Sequence, residues 1–453
     1  MDLGFETIGN ATLICHDHGP VLVTDPWLSG SAYFGSWGLS HAVPEEQLDA
    51  IRRAPYVWLS HGHPDHLHGE SLAQLRDRLI LLPDAVGGRI HDELTRQGFR
   101  VRVLPDRTWV GLSPRIKVLC IADCNQDGIL LVSVGGKLVV DLNDASDRGW
   151  GRFVKKTIAA HRESFLLRLS GFGDADMIHY LDGNGQRIDP MPQRKQVGRE
   201  IAGLLREYGA RYFIPFSSMH RYQRTDSAWA NQYLTGLTDY PVGFDGRGKE
   251  LLPPFVRVDC LHDRLEPIAP AENPHTLVEP AALGDAWDEP LESDEAARAA
   301  RYFRAIDHLP HAFDFVTLEV GGRDHHIALC SPQSGRGIRF AAPRQSLMAA
   351  IDNEVFDDLL IGNFMKTTLI GRGLTDLYPD FTPYVAKYAD NGRAKSEPEL
   401  HHYFEHYRRR APLDFLRYQL EAHAKNVFRR TFPADSRIST GAKRLYRALR
   451  ERG

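Results

Sequence analysis

The sequence predicts an α/β fold in its first half, followed by a smaller α+β domain that ends in a helical tail. Between residues 45 and 97, short apolar runs alternate with amphipathic segments. That alternation is typical of strands layered against helices and not of an all-β protein. Residues 101–140 then read as a series of strands. After residue 252 prolines recur and the chain becomes strongly acidic, which indicates a boundary between two units.

This pattern divides the chain into three parts. We expect a first domain over residues 1–252 and a Pro-rich, acidic linker or wrapping segment over residues 253–295. Residues 296–453 are expected to form the α+β domain, which ends in basic helices. A solvated helix pair packed on the body is the simplest interpretation of that basic end, and a docking surface for an acidic partner is the alternative.

Composition and charge are those of an ordinary globular protein. The 453 residues are 42% hydrophobic and 25% charged, and the formal net charge of -4 gives no reason to expect a nucleic-acid partner. The five irregularly spaced cysteines give no readable disulfide framework, which fits a reducing compartment. Residues 1–4 begin no secretory pattern, and no apolar run approaches the roughly 20 residues of a membrane helix. We therefore expect a cytoplasmic protein without a membrane span.

A histidine-rich turn follows the apolar run 56–59. It contains His61, His63, Asp65 and His66 in the pattern His-x-His-x-Asp-His. Imidazole and carboxylate groups are ligands that suit zinc, iron and manganese. In a turn at a strand end, His61 and His63 can face one ion, while Asp65 and His66 can face a second. A polar loop that binds no metal is the alternative, but the aspartate has no simple role in such a loop.

This turn resembles the signature of the metallo-β-lactamase superfamily. The resemblance covers roughly residues 3–250 and implies an αββα sandwich with a two-metal site, so that residues 1–252 form the catalytic domain. It also implies a role for Asp25, which follows predicted strands at 5–15 and 21–24. In the superfamily an aspartate at this position hydrogen-bonds the histidine-rich turn, residues 61–66, which we call the metal turn. Its hydrogen bonds fix the orientation of the imidazoles. An aspartate that only opens a turn is the alternative interpretation.

The superfamily usually has a further histidine at a strand end and an aspartate that bridges both metals. That histidine is missing here, and Asp123 is our choice to replace it, with Asp127 as the alternative. Asp144 is our choice for the bridging carboxylate, with Asp141 as the alternative. His220, just past a late strand, resembles the last metal ligand of the superfamily.

The resemblance therefore implies two groups of metal ligands with a carboxylate between them. The first ion is assigned His61, His63 and Asp123, the second is assigned Asp65, His66 and His220, and Asp144 bridges the two ions. Asp65 and Asp144 are also the predicted catalytic residues, since either carboxylate can move a proton.

An aromatic, glycine-rich loop follows Asp25. It contains Trp27, Tyr33 and Trp37, and its apolar residues show neither helical nor strand periodicity. A loop with so many large rings either packs over the core or lines a pocket. We assign these three rings to the substrate pocket, where they would keep the site dry.

A narrower resemblance concerns segments in both halves of the chain. The segments 24–28, 59–67, 214–216 and 356–362 resemble the catalytic domain of CMP-N-acetylneuraminic acid hydroxylase. That family implies an iron-dependent mono-oxygenase acting on a sugar nucleotide. Its Rieske iron–sulfur domain uses two Cys and two His, and the sequence has no Cys-x-His motif followed by a Cys-x-x-His motif. An oxygenase of this kind would take electrons from a separate, ferredoxin-like protein.

Two classes of enzyme and one binding role remain open. The first hypothesis is a non-haem di-iron oxygenase, a hydroxylase that inserts oxygen from O2 into a small-molecule or sugar-nucleotide-like substrate. An aspartate in place of a histidine favours iron or manganese over zinc. The alternative is a two-metal hydrolase, with zinc or manganese, of an ester, amide or phosphodiester. A degenerate metal fold that acts only as a binding module is the third interpretation.

Overall fold

The computed structural model describes residues 1–431 apart from 146, 148–149, 174–176, 192–195, 373, 375, 379 and 391. The part of the predicted basic tail beyond residue 431 lies outside the described residues. Among the helices that are described, none is long and apolar enough to cross a membrane. No disulfide joins the five cysteines, all of which lie in the described ranges.

The described strands fall into four sheets and are, in chain order, β1 (Leu3–Ile8), β2 (Thr12–Asp17), β3 (Pro20–Thr24), β4 (Ser31–Ala32), β5 (Trp37–Leu39), β6 (Tyr56–Trp58), β7 (Leu79–Leu82), β8 (Arg100–Val103), β9 (Val110–Gly111), β10 (Ile116–Ala122), β11 (Gly128–Val134), β12 (Lys137–Asn143), β13 (Ser164–Arg168), β14 (Tyr180–Leu181), β15 (Tyr212–Pro215), β16 (His220–Tyr222), β17 (Glu250–Leu251), β18 (Val256–Asp259), β19 (Arg264–Pro267), β20 (Phe315–Val320), β21 (Arg323–Ala328), β22 (Gly337–Ala341) and β23 (Lys366–Ile370).

The described α-helices are α1 (Glu45–Arg53), α2 (Gly69–Ala73), α3 (Arg89–Arg96), α4 (Gly151–Ala159), α5 (Val197–Tyr208), α6 (Ser293–Arg304), α7 (Arg344–Asp352), α8 (Phe356–Ile361), α9 (Thr382–Tyr388), α10 (Glu397–Arg410) and α11 (Pro412–Thr431). Short 3-10 helices occur at Ala228–Tyr233, Pro280–Leu283 and Leu309–His311.

Two mixed sheets form the centre of the first domain. Their strand orders are β19-β18-β1-β2-β3-β6-β7-β8 and β17-β15-β13-β12-β11-β10-β9. Side chains alternate between the two faces of a strand. Val139 and Phe165 therefore pack between the sheets, where Phe165 meets Phe5 of the opposite sheet with 5.0 Å between ring centroids. Val140 and Leu166 belong to the outer apolar layers.

Helices cover the outer face of each sheet because each helix has one apolar side. α1 packs on β3 and α3 on β8 in the first sheet, while α4 packs on β12 and α5 on β15 in the second. In α1, Ala50 and Ile51 are buried, whereas Glu45 and Arg53 are exposed. The layers run helix, sheet, sheet, helix, and the predicted α/β class with its αββα sandwich is confirmed.

The prediction of one continuous strand from residue 5 to residue 15 is wrong. The chain turns between β1 and β2, which pair antiparallel from Ile8 opposite Thr12. Gly9 has a φ of 64°, a conformation that glycine adopts without strain and that permits this tight turn. The turn has a consequence for the site, because it presents the side chain of Asn10 to the metal turn.

The predicted wrapping segment, residues 253–295, contributes two strands to the first sheet. β18 pairs antiparallel with β1, and β19 pairs with β18. The C-terminal domain is built on a five-stranded sheet with the order β14-β23-β22-β20-β21, so β14 reaches it from the earlier part of the chain. Its core contains contacting phenylalanine rings, among them Phe303, Phe340, Phe356 and Phe381.

Candidate metal centre

The metal turn connects the carboxyl end of β6 to α2. Since β6 lies parallel to β3, the turn leaves the sheet beside the end of β3 and the following Asp25. The N–H of Asp25 donates to the carbonyl of Trp58 at 2.9 Å and ties the two strand ends together. His61 and His66 are buried, and His63 is partly exposed. The carboxyl edge of the sheet therefore carries the predicted ligands.

The first group of ligands is a pair of imidazoles. Nε2 of His61 and Nδ1 of His63 face each other at 2.9 Å. The other nitrogen of each ring has its own partner: Nδ1 of His61 lies 2.8 Å from Oγ of Ser60, and Nε2 of His63 lies 3.4 Å from Oδ2 of Asp357. Two facing nitrogens can share one proton or bind one cation, and outer partners of this kind orient metal-binding imidazoles. The pair fits one metal ion.

The electrostatic surroundings of His61 and His63 shift the pKa values of the two rings in opposite directions. Burial, followed by the neighbouring His66 and His63, lowers the pKa of His61 to about 4, so that this ring is neutral, the form that binds metals. Burial alone would lower the pKa of His63, but Asp357 and further carboxylates raise it to about 10. An environment negative enough to retain a proton on His63 also suits a cation, which replaces that proton on binding.

The second group of ligands surrounds the buried ring of His66. Its Nε2 lies 3.2 Å from Oδ2 of Asp65 and 3.6 Å from Oδ2 of Asp144. Asp144 also approaches the first group, because one of its oxygens and one nitrogen each of His61 and His63 lie within 4.8 Å of one another. The carboxylate of Asp144 thus lies near both groups of candidate ligands.

Asp25 is the centre of the hydrogen-bond network beneath the metal turn. Its carboxylate accepts from the N–H of Ser60 at 2.8 Å, the Oγ–H of Ser60 at 2.7 Å and Nδ2 of Asn143 at 2.7 Å, and it lies 3.0 Å from Nδ1 of His66. Asp25, Asn143 and Ser217 have φ values of 39°, 46° and 65°. Such left-handed conformations cost energy in non-glycine residues and cluster at functional sites.

Asp123 is not in the group of His61, His63 and Asp144, whose ligand atoms all lie within 4.8 Å of one another. Its Oδ1 instead accepts from the N–H of Asn125 at 2.8 Å and the N–H of Asp127 at 3.2 Å, so the carboxylate shapes its own loop. Asp127 lines the cavity that contains His61 and His63, and its charge acts on the pKa of His61. Of the two carboxylates that we considered for the third position, the geometry favours Asp127.

Asp141 lies in the core between the two sheets. It shares one face of β12 with Val139, which packs between the two sheets, and it is fully buried. Burial and the charge of Asp25 raise the pKa of Asp141 well above the ordinary carboxyl range. Asp144 lies near both groups of candidate ligands, and we keep it as the choice for the bridging carboxylate.

Trp27, Tyr33 and Trp37 of the aromatic loop are not among the residues that line the cavity at His61 and His63. All three rings are buried. The O–H of Tyr33 donates to Oδ1 of Asp65 at 2.6 Å, and Trp27 packs against the ring of His68. The rings are buried because large apolar side chains are more stable in the core than in a water-filled pocket. From there the loop holds the candidate ligands in place.

His220 lies at the start of β16, which pairs with β5 in a three-stranded sheet. The ring of Trp37 stacks on that of His220 with 3.4 Å between centroids and 4° between planes. Burial lowers the pKa of His220 to about 4, while the charges of Asp65 and Asp144 oppose that shift. His220 is therefore neutral and within the electrostatic reach of the second ligand group.

Several residues of the network were not predicted from the sequence. Asn10 donates from Nδ2 to Asp65 at 2.9 Å, and Ser217 donates to Asp144 at 2.6 Å. Ser60, Asn143 and Asp357 complete the set. Ser60 and Asp357 had a signal in the sequence, since they lie in the segments 59–67 and 356–362 that resemble the hydroxylase family.

A cavity of about 490 Å³ opens onto the ligands. Its lining includes His61, His63, Asp127 and Asp144 from the first domain. Polar and charged side chains of both domains complete the wall, among them Arg89, Gln126, Arg168, Asp357 and Asp390. The volume is in the range of small-molecule sites.

The sequence was compared with known proteins. No protein-family model matches it. It is 28% identical over 204 residues to cytidine monophosphate-N-acetylneuraminic acid hydroxylase from Sus scrofa, a match that covers 43% of this chain and 47% of the relative. The same hydroxylase from Mus musculus is 28% identical over 160 residues, which are 28% of its length. The chain thus matches less than half the length of these curated relatives.

The chain was also compared with solved structures. CmlA, a diiron beta-hydroxylase from Streptomyces venezuelae, has a TM-score of 0.34 and 15% identity, covering 59% of this chain and 54% of CmlA. An isothiocyanate hydrolase from Delia radicum gut bacteria has a TM-score of 0.37 and 15% identity, covering 55% of this chain and 95% of the hydrolase. The sequence match and the two-sheet architecture confirm the resemblance first indicated by the metal turn: the chain has a metallo-β-lactamase-like fold and is similar to CMP-N-acetylneuraminic acid hydroxylases.

Proposed function

We propose that this protein is a dinuclear metal enzyme, and that it is a di-iron oxygenase which hydroxylates a small molecule. The observation that carries the proposal is the convergence of imidazoles and carboxylates on two adjacent positions. His61 and His63 face each other at 2.9 Å beside Asp144. Asp144 also lies 3.6 Å from His66, which lies 3.2 Å from Asp65.

The donor set of the proposed site favours iron. The first position takes His61, His63 and, in our revised assignment, Asp127; the second takes Asp65, His66 and His220; and Asp144 joins them. An oxygen donor at the third position, where the superfamily usually has a nitrogen, adds negative charge and suits iron or manganese better than zinc. The sequence similarity to hydroxylases over 204 residues supports the same choice.

The two irons, when bound, would supply the redox chemistry with O2. The chain's own groups then have three tasks: to hold the ligands, to keep water out and to bind the substrate. Tyr33 fixes the orientation of Asp65 through its hydrogen bond of 2.6 Å. The buried rings of Trp37 and Trp27 seal the side of the site away from the cavity.

The substrate would occupy the cavity of about 490 Å³. Arg168, which lines it, provides a positive charge that can bind a phosphate or carboxylate of a sugar-nucleotide-like substrate. Hydroxylation inserts one oxygen atom of O2 into a C–H bond and reduces the other to water. The two electrons and two protons for that reduction would come from a separate electron-transfer protein of the ferredoxin class.

A two-metal hydrolase is the second candidate. The neutral imidazoles of His61 and His220, both with a pKa of about 4, are the form of histidine that zinc binds well. With zinc or manganese the same geometry would serve the hydrolysis of an ester, amide or phosphodiester, for which Asp65 or Asp144 could move the proton.

The first experiment is elemental analysis of protein from iron-supplemented cells, together with O2 consumption in the presence of a reductant. We expect about two irons per chain and O2 uptake. His63→Ala should lose one metal and the uptake, whereas the control His401→Ala, a change at an exposed position, should lose neither. About two zincs, and an iron-loaded protein that is inert towards O2, would replace the oxygenase proposal with the hydrolase.

A further inference from the structure

Side chains of three helices of the C-terminal domain contact the candidate metal centre or the loops that carry its ligands. Asp357 of α8 lies 3.4 Å from Nε2 of His63, and Nζ of Lys387 of α9 donates to Oδ1 of Asn125 at 3.3 Å. The O–H of Tyr403 of α10 donates to the carbonyl oxygen of Cys124 at 2.8 Å. All three contacts end on the two loops that carry the candidate ligands of the first metal position.

The contact of Asp357 determines how His63 presents its nitrogens. Asp357 is 8% exposed, and its carboxylate can only accept a hydrogen bond. It therefore favours a proton on Nε2 of His63, so that a cation would bind at Nδ1, the nitrogen that faces Nε2 of His61 at 2.9 Å. Carboxylates that orient a metal-bound imidazole in this way also increase its basicity.

Lys387 acts on the other ligand of the same position through one intermediate residue. Nδ2 of Asn125 donates to Oδ2 of Asp127 at 3.2 Å, while its Oδ1 accepts from Lys387. An ammonium group can only donate and a carboxylate can only accept, so the amide of Asn125 has one consistent orientation. Lys387 is 3% exposed, and a lysine buried this deeply is held in place by its partners. The lysine thereby fixes the direction in which Asn125 holds Asp127.

We propose that the C-terminal domain is part of the metal centre, with Asp357 and Lys387 as positioning residues for the first metal ion. The inference rests on the proposed function only in that the centre binds two metals. Each residue orients one ligand of the same position, His63 or Asp127, across the boundary between the two domains. The first metal position is therefore complete only when the C-terminal domain is packed on the first.

The test measures metal affinity and needs no substrate. The metal-free full chain is titrated with Co²⁺ in competition with a chelator, and the two binding steps are followed by visible absorption. Asp357→Asn and Lys387→Met should each weaken one step by about 10–100-fold, the usual effect of removing an orienting partner, and leave the other step unchanged. Asn125→Leu should reproduce the effect of Lys387→Met, because it breaks the same connection.

Matched controls come from exposed positions of the same domain. Asp324→Asn and Lys366→Met make the same chemical changes away from the cavity, and neither should alter either step. The melting temperature of each metal-free variant is measured in parallel, which separates positioning from folding.

The outcomes distinguish this inference from the proposed function. Fewer than about two Co²⁺ bound per wild-type chain would overturn the dinuclear assignment itself. Two ions with wild-type affinities in the Asp357 and Lys387 variants would overturn the inference alone. Equal weakening of both steps with a lower melting temperature would show a purely structural role. A third Co²⁺ that disappears in Asp357→Asn would make Asp357 a ligand in its own right, and would also overturn it.

Discussion

Replacement of Asp25 by asparagine is expected to destabilise the metal centre even in the absence of metal. Three donors reach Oδ2 of Asp25: Ser60 Oγ at 2.7 Å, Asn143 Nδ2 at 2.7 Å and His66 Nδ1 at 3.0 Å. One donor, the N–H of Ser60, reaches Oδ1 at 2.8 Å. The residue is fully buried, so water cannot replace a lost partner.

The magnitude follows from the two orientations that the new amide can take. If its oxygen replaces Oδ2, three hydrogen bonds survive, but the amide NH2 then faces the N–H of Ser60. If its oxygen replaces Oδ1, three donors lose their acceptor. Even the better orientation removes one charge-assisted hydrogen bond and leaves a buried donor without an acceptor, which costs about 2–4 kcal/mol.

The assay is thermal unfolding of the metal-free protein at neutral pH. For a domain of this size about 3 kcal/mol lowers the melting temperature by about 6–12 °C. Asp49→Asn, the same change at an exposed position of α1, should shift it by no more than about 2 °C. A shift in Asp25→Asn as small as that of the control would refute the assignment of this carboxylate as the centre of the network.

Three further predictions concern other groups of the first domain. Tyr33→Phe removes the hydrogen bond of 2.6 Å to Asp65 and should lower the free energy of unfolding by about 1.5–3 kcal/mol in urea titrations, whereas a loss below about 0.5 kcal/mol would contradict it. Trp37→Ala removes the ring stacked on His220 and should cost about 3–5 kcal/mol; unchanged urea unfolding would show that the ring is not part of the packed core. Burial alone would raise the pKa of Glu6, but a neighbouring imidazole and guanidinium lower it from 4.5 to about 2. The folded state therefore binds this proton more weakly than the unfolded state. Ionised Glu6 should contribute about 3 kcal/mol to the free energy of unfolding above pH 4.5, and this contribution is lost as the pH falls towards 2. Glu6→Gln should flatten the dependence of the free energy of unfolding on pH in that interval.

The sequence was sufficient to predict the fold class and the metal turn, because both depend on local patterns of residues. Alternating apolar runs predicted the layers, and the spacing of His61, His63, Asp65 and His66 predicted two facing groups. The same reasoning failed to separate Asp123 from Asp127, since both lie in one loop. Which of them turns inward depends on the backbone hydrogen bonds that Asp123 accepts from its own loop.

Long-range packing explains the remaining differences between sequence and structure. The burial of Trp27, Tyr33 and Trp37 depends on residues such as His220 and Asp65, which come to the loop from other parts of the chain. The approach of the C-terminal domain is more distant still, because almost 300 residues separate a histidine of the metal turn from its carboxylate partner in α8. No periodicity or motif spacing carries that information.

The pairing of β1 with β18 has a consequence for biosynthesis. β1 lies inside the first sheet only because β18, which follows about 250 residues later, covers its second edge. At about 5–20 residues per second, a ribosome needs about 10–50 s to make the intervening chain. During that interval the nascent sheet has an open, apolar edge of the kind that pairs with other chains. We expect cotranslational chaperones to bind this protein until residue 259 has left the exit tunnel, and a truncation before β18 to aggregate.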